Sequence, residues 1–384
     1  TSTKSQTENL PSGDGGYMQF SVINPDAFFW ESQNGNAKRS PDKGSGADDE
    51  IFKPICGECE DPGPWVTPLM HWESFNDLNS NDSIQFVADK AYSAGETIFM
   101  ESNNNEFPFK YVTPVPMAVN DTIMVQDIVQ SKFFAGLYSG VWMSKDVLDF
   151  AKSPRWYKIS DLVATSMEFS QDGDILYVGT SSKVYRISGI LGINSSDDYT
   201  DDDHSVANPA KPASISSTQI FTGAQNVCGI GVDPNDPDNV VIACGNFGFT
   251  DYIYRSTNAA TATSSSGTFV SIQNNLPAMP VYDGLIEMSD HNRIIIGTEY
   301  GVYATDNGFD SNPSLVAWED ENTTMSRVPT YMVLQQTHAN NTCTGVSVSG
   351  NIYIGTHGRG IWRSEDYALA QDTATCDLPI TTLA

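Results

Sequence analysis

The residues able to do chemistry are few and scattered along 384 positions. Six cysteines are the first group. Cys228 and Cys244 flank the turn-forming stretch Asp233-Pro-Asn-Asp-Pro-Asp238, whose centre lies almost midway between them. A hairpin there sets the two sulfurs nearly opposite each other. A disulfide closing that loop would add about 3 kcal/mol if unstrained; two packed thiols are the alternative. Cys343 could pair with Cys376. Cys56-Gly-Glu-Cys59 is a single CxxC, which is half of a zinc site. A thioredoxin-like role needs a βαβ setting that the pattern lacks. The expectation is a local disulfide or structural thiols, and an oxidising compartment.

Acidic residues form the second group. The run Asp197-Asp-Tyr-Thr-Asp-Asp-Asp203 offers oxygen ligands of the kind Ca²⁺ takes, but without EF-hand spacing. A solvated loop is the simpler reading. No other cofactor or metal site is assigned. Across the chain, 20 Lys and Arg face 48 Asp and Glu, a net charge of -28. Such a surface repels phosphate backbones, which excludes nucleic acid as a partner, and disfavours anionic membranes. Neutral glycans, cations and basic protein patches remain. No stretch reaches the roughly 18 apolar residues of a membrane-spanning helix. Residues 1–16 read as a flexible, polar N-terminal segment with any export signal already removed, and 371–384 as a C-terminal tail.

These residues sit on a repeat. Each copy has an apolar strand, a turn, a second strand ending in Gly-Thr or a variant, and a third strand ending in an aromatic, often with Arg-Ser. The last copy reads Gly345-Val-Ser-Val-Ser349, then Ile352-Tyr-Ile-Gly-Thr356, then Ile361-Trp-Arg-Ser-Glu-Asp366. Gly136, Gly179, Gly245, Gly297 and Gly355 mark five copies, at spacings of 43, 66, 52 and 58 residues. A degenerate copy opens the chain from Met18. Such spacing suits four-stranded blades with variable loops, and Gly at a strand end permits close approach. Fourth strands are expected at 155–159, 219–221, 268–272 and 315–318. The fold class is therefore all-β: a six- or seven-bladed β-propeller over residues 17–370. A small β-rich insert at about 81–128, or a diverged blade, interrupts it.

The closing turns resemble the Asp-box, Ser-x-Asp-x-Gly, of sialidase-superfamily propellers. Ser40-Pro-Asp42-Lys-Gly44 matches in full. Ser364-Glu-Asp366 and Ser144-Lys-Asp146 match its first half, and Ala304-Thr-Asp306-Asn-Gly308 matches apart from its first position. Thr356-His-Gly-Arg-Gly-Ile-Trp-Arg-Ser364 is similar to a motif of xyloglucanase-type and sortilin-type propellers and of exported Bacteroidota propellers. The resemblance implies that the Asp-box residues are structural and lie away from the active face. Arg39, Arg186, Arg255 and Arg363 occupy repeat positions and read as structural. The Arg-Ile-Pro motif of sialidases is missing.

The same resemblance places the ligand-facing side on the loops after each Gly-Thr, with Tyr138, Phe247, Glu299, Tyr300, His357 and Arg359, and on the loops leading into each blade, with Tyr282, Asp283 and His338. A xyloglucanase-type hydrolase would need two carboxylates across a cleft, and Asp283 and Glu299 are the best candidates. The reading preferred on sequence is a non-catalytic scaffold. It would be extracellular or at the cell surface, associated with an outer membrane, and would bind another envelope or surface protein or a polysaccharide. The alternative is a glycoside hydrolase acting on β-glucan-like chains.

Overall fold

Each repeat folds as an antiparallel meander in which strands consecutive within a sheet pair with one another. The computed structural model describes residues 15–44, 49–57, 61–202, 208–323, 325–342, 344–370 and 378–383. Five four-stranded sheets follow one another. The first is Met18–Phe20, Phe28–Glu31, Ala37–Ser40 and Asp49–Glu50; the second is Leu69–Ser74, Gln130–Leu137, Gly140–Ser144 and Tyr157–Ser160. The third is Ser166–Phe169, Leu176–Gly179, Lys183–Ser188 and Ser216–Thr222. The fourth is Val227–Asp233, Asp236–Cys244, Ile253–Thr257 and Val270–Ser271, and the fifth is Val281–Ile286, Ile294–Thr298, Gly301–Thr305 and Glu319–Asp320. A three-stranded sheet, Thr330–Gln335, Ile352–Thr356 and Gly360–Ser364, comes sixth. The first strands of successive sheets lie against one another. This is the blade arrangement of a β-propeller.

What holds sheet to sheet is visible in the register. In each sheet one row of side chains looks toward the next sheet. Phe29 opposite Arg39, Phe134 opposite Met143, Tyr177 opposite Arg186, Val241 opposite Arg255 and Ile295 opposite Ala304 are equivalent pairs. The five residues on the second strands are at most 5% exposed. The arginines in this row act as clasps. Arg39 donates to the Val147 and Asp149 carbonyls (2.7 and 3.0 Å) and to that of Lys152 (2.6 Å), all in the second sheet. Arg186 donates to the carbonyls of Ala259, Ala260 and Ala262, and Arg255 to those of Gly308 and Asp310. Each clasp thus crosses to the turn that follows the third strand of the next sheet. The repeat glycines have a matching cause. A Cβ on Gly179 would lie 2.8 Å from Val227, and one on Gly297 would lie 2.6 Å from the Thr330 carbonyl.

The turns after the third strands of the first, second, fourth and sixth sheets share one geometry. Ser40 donates to Asp42 (2.8 Å), Ser144 to Asp146 (3.0 Å), Ser256 to Asn258 (3.1 Å) and Ser364 to Asp366 (3.1 Å). Gly44 N–H also reaches Ser40 Oγ at 2.8 Å. In the fifth sheet Thr305 and Asn307 make the bond, and Gly308 follows at the clasp position. This corrects the expectation for Asp306: the box is shifted by one residue, and Asp306 turns outward to Arg293.

Between the first two strands of the second sheet the chain makes an excursion. Ser83–Val87 pairs with Thr122–Gln126, and Thr97–Glu101 pairs with Pro108–Val112. Near the C-terminus, Ile380–Thr381 joins that second pair in parallel.

For Cys228 and Cys244 the packed-thiol alternative holds, and two strand expectations are corrected. Cys228 and Cys244 are free thiols. The hairpin forms, but Cys244 faces Val227, and Cys228 falls in the register shift between Val227 and Gly229. One extra residue is enough to turn a side chain off its partner. Cys59, Cys343 and Cys376 lie outside the described residues. The first strand of the last repeat is Thr330–Gln335, and Val346 instead bridges to Asn341. The fifth sheet's fourth strand is Glu319–Asp320, because residues 313–315 form a 3₁₀ turn.

Candidate functional site

Antiparallel pairing sends every turn between second and third strands to the same end of the sheets, together with the loops leading into each sheet. At this end Tyr138, Phe247 and Tyr300 are 58%, 69% and 59% exposed. Backbone bonds hold two of these turns: Tyr138 N–H reaches the Pro62 carbonyl at 2.9 Å, and Glu299 N–H, beside Tyr300, reaches that of Pro280 at 3.1 Å. His357 and Arg359 are exposed in the last such turn, with His357 N–H on the Pro329 carbonyl at 2.8 Å.

Four side chains meet where the fifth and sixth sheets adjoin. The Tyr282 hydroxyl donates to Glu299 Oε2 at 2.5 Å. The Tyr282 ring packs edge-on against Tyr331 at 4.8 Å, and Tyr331 lies 5.8 Å from the His357 ring. Tyr331 Oη is 3.5 Å from His357 Nδ1. Burial, then the bond to Glu299, pushes the Tyr282 phenol above its ordinary range. Aromatic faces beside a fixed carboxylate can stack on a ring and accept from a hydroxyl, which suits an uncharged polar ligand or a partner's side chains.

Asp283 is placed differently from Glu299. Its Oδ1 accepts from Gly284 N–H at 2.9 Å and its Oδ2 from Val333 N–H at 2.8 Å, which ties the fifth sheet to the sixth. Burial pushes its carboxyl up to about 7, against the pull of those two amides. Glu168, on the first strand of the third sheet, is pushed up to about 8 by burial, with the Asp283 charge adding. The Tyr17 phenol is raised by burial and then by Asp283, Glu168, Cys228 and Glu31. Asp283 and Glu168, both half-buried on first strands, thus lie within each other's field.

His338 follows the sixth sheet's first strand and so sits at the opposite end from the loops above. Trp65, 58% exposed beside the Asn34 turn, and Tyr331, 51% exposed, belong to the loop end and were not singled out from sequence. Tyr331 stands at the start of the Thr330–Gln335 strand, the strand that the repeat pattern misplaced. In the acidic loop, Asp197 accepts from Asn194 N–H at 2.9 Å, Asp202 accepts from Ser153, and Thr200 bridges to Trp156. Asp203 lies outside the described residues. Among the described residues, no three His, Cys, Asp or Glu side chains are grouped to hold a metal.

No family model matches the chain, and no curated protein matches it. Among solved structures, it is similar to Raptor from Chaetomium thermophilum at 8% identity and a TM-score of 0.49, over 94% of this chain and 24% of that one. It is also similar to a GH74 xyloglucanase from Xanthomonas campestris at 11% identity and a TM-score of 0.37, over 94% of this chain and 45% of that one. The chain spans under half the length of either protein.

Proposed function

We propose that this chain is a non-catalytic recognition scaffold whose loop end binds a protein surface or an uncharged glycan outside the cell. The observation that carries the reading is the gathering of exposed aromatics at one end: Trp65, Tyr138, Phe247, Tyr300 and Tyr331. Rigid blades hold these rings in fixed positions, so little conformational entropy is lost when a partner covers them. Asp283 is absorbed in a tie between sheets, which speaks against its service as a free acid or base. The large negative charge favours neutral or basic partners over anionic ones. The setting proposed is the cell surface, with the chain in a larger envelope assembly.

A second reading, a glycoside hydrolase on β-glucan-like polysaccharide, draws on one observation. The Asp283 carboxyl, raised to about 7, has the proton affinity a general acid needs near neutral pH. Immobilised polysaccharides and native envelope extract, each probed with wild type and with Tyr300→Ala plus Phe247→Ala, test the binding reading. Retention that the double variant loses supports it. Retention unchanged by the double variant counts against the loop end.

A further inference from the structure

The sixth sheet repeats every feature by which a sheet docks onto the next, and leaves each one unused. Its row toward a following sheet is Leu334, Tyr353 and Arg363, with Ile361 two residues before the arginine. At the position of Ile361 the second to fifth sheets carry Val141, Val184, Ile253 and Val302, each at most 3% exposed. Ile361 is 74% exposed, and Leu334 is 47% exposed. Arg363 is the equivalent of the three clasping arginines, yet its side chain is 50% exposed and pairs with Glu365 of its own turn. A Cβ on Gly355 would meet only Met332 of its own sheet, whereas that on Gly297 strikes the next sheet's backbone. Among the described residues no hydrogen bond or ion pair joins the sixth sheet to the first.

The first sheet carries the other half of such a junction. Its row facing away from the second sheet includes Met18 and Phe20, which are 41% and 66% exposed; Phe28 and Trp30 in the same row, stacked behind Phe20, are already buried at 5% and 6%, so the open part is the Met18–Phe20 edge. The clasps at other junctions take the carbonyl one residue past the Asp or Asn of the turn, that of Val147, Ala259 or Gly308. In the first sheet the equivalent carbonyl belongs to Lys43, next to Asp42. One chain therefore presents both complementary halves of an interface it makes five times within itself.

We propose that the sixth-sheet face of one copy docks on the first-sheet face of a second copy, with Ile361 and Tyr353 against Met18 and Phe20, and Arg363 on the turn at Lys43. This is a head-to-tail contact, so it need not close at two copies. The proposal is independent of the loop-end reading, because it uses neither the exposed turns nor the Tyr282 cluster. Each copy carries a charge of -28, so the contact strengthens as salt screens that repulsion.

Sedimentation velocity on the full chain tests it, over a wide concentration range at low and high salt. Wild type should show a series of species above monomer mass that grows with both variables. Ile361→Asp and Phe20→Asp should each return the protein to monomer, with circular dichroism and thermal unfolding unchanged. An equimolar mixture of the two variants should recover a dimer, because each keeps the half that the other has lost. A monomer under all conditions overturns the proposal, as does a mixture that stays monomeric while wild type associates.

Discussion

Asp283 shows how one side chain can look catalytic and serve the fold. Its two amide bonds would favour the ionised form, yet burial wins and the carboxyl titrates at about 7. Glu168 at about 8 and Asp127 at about 6 are raised for the same reason. A carboxyl held above its unfolded value is bound to its proton more tightly in the fold. The stability this adds is complete below the ordinary carboxyl range and is lost as pH climbs through the folded values. The thermal midpoint should therefore fall as pH rises from about 6 to about 8. Glu168→Gln should flatten the upper part of that fall; a wild-type midpoint that is flat or rising there contradicts this. Asp283→Ala leaves the Val333 amide without its acceptor and should cost about 1–3 kcal/mol in denaturant unfolding.

At the scale of elements, the junctions between sheets carry the stability. Arg39→Ala removes three bonds to carbonyls of the second sheet and should cost about 3 kcal/mol, read from urea midpoints at constant slope. Lys38→Ala, a neighbour with no such clasp, should cost under about 0.5 kcal/mol. Gly297→Ala drives a Cβ into the Thr330 carbonyl and should cost about 2 kcal/mol, while Gly355→Ala, with 3.3 Å to Met332, should be tolerated. Much of this was legible in the sequence. The Gly-Thr and Arg-Ser marks located second and third strands because a tight approach and a clasp each demand one residue type. The fourth strands were weakly legible, since three of them are two residues long and set by pairing alone. The first strand of the second sheet, Leu69–Ser74, was hidden by the excursion that separates it from its partner. The sixth sheet's first strand was misplaced for want of its marks, and Tyr331 went unnoticed with it. The free thiols follow from a single-residue bulge that spacing does not announce.

At the scale of the molecule, the charge of -28 on one chain and the exposed aromatics at one end set what it can meet. Raising salt should raise the thermal midpoint by easing self-repulsion, and a midpoint that falls would count against that balance. The central claim is that the loop end recognises without turning over. Reducing-sugar release from a panel of neutral polysaccharides tests it most directly, with wild type beside Asp283→Asn and Glu299→Gln. The account predicts no release above background from any of the three. Sustained release by wild type that either variant abolishes would contradict it.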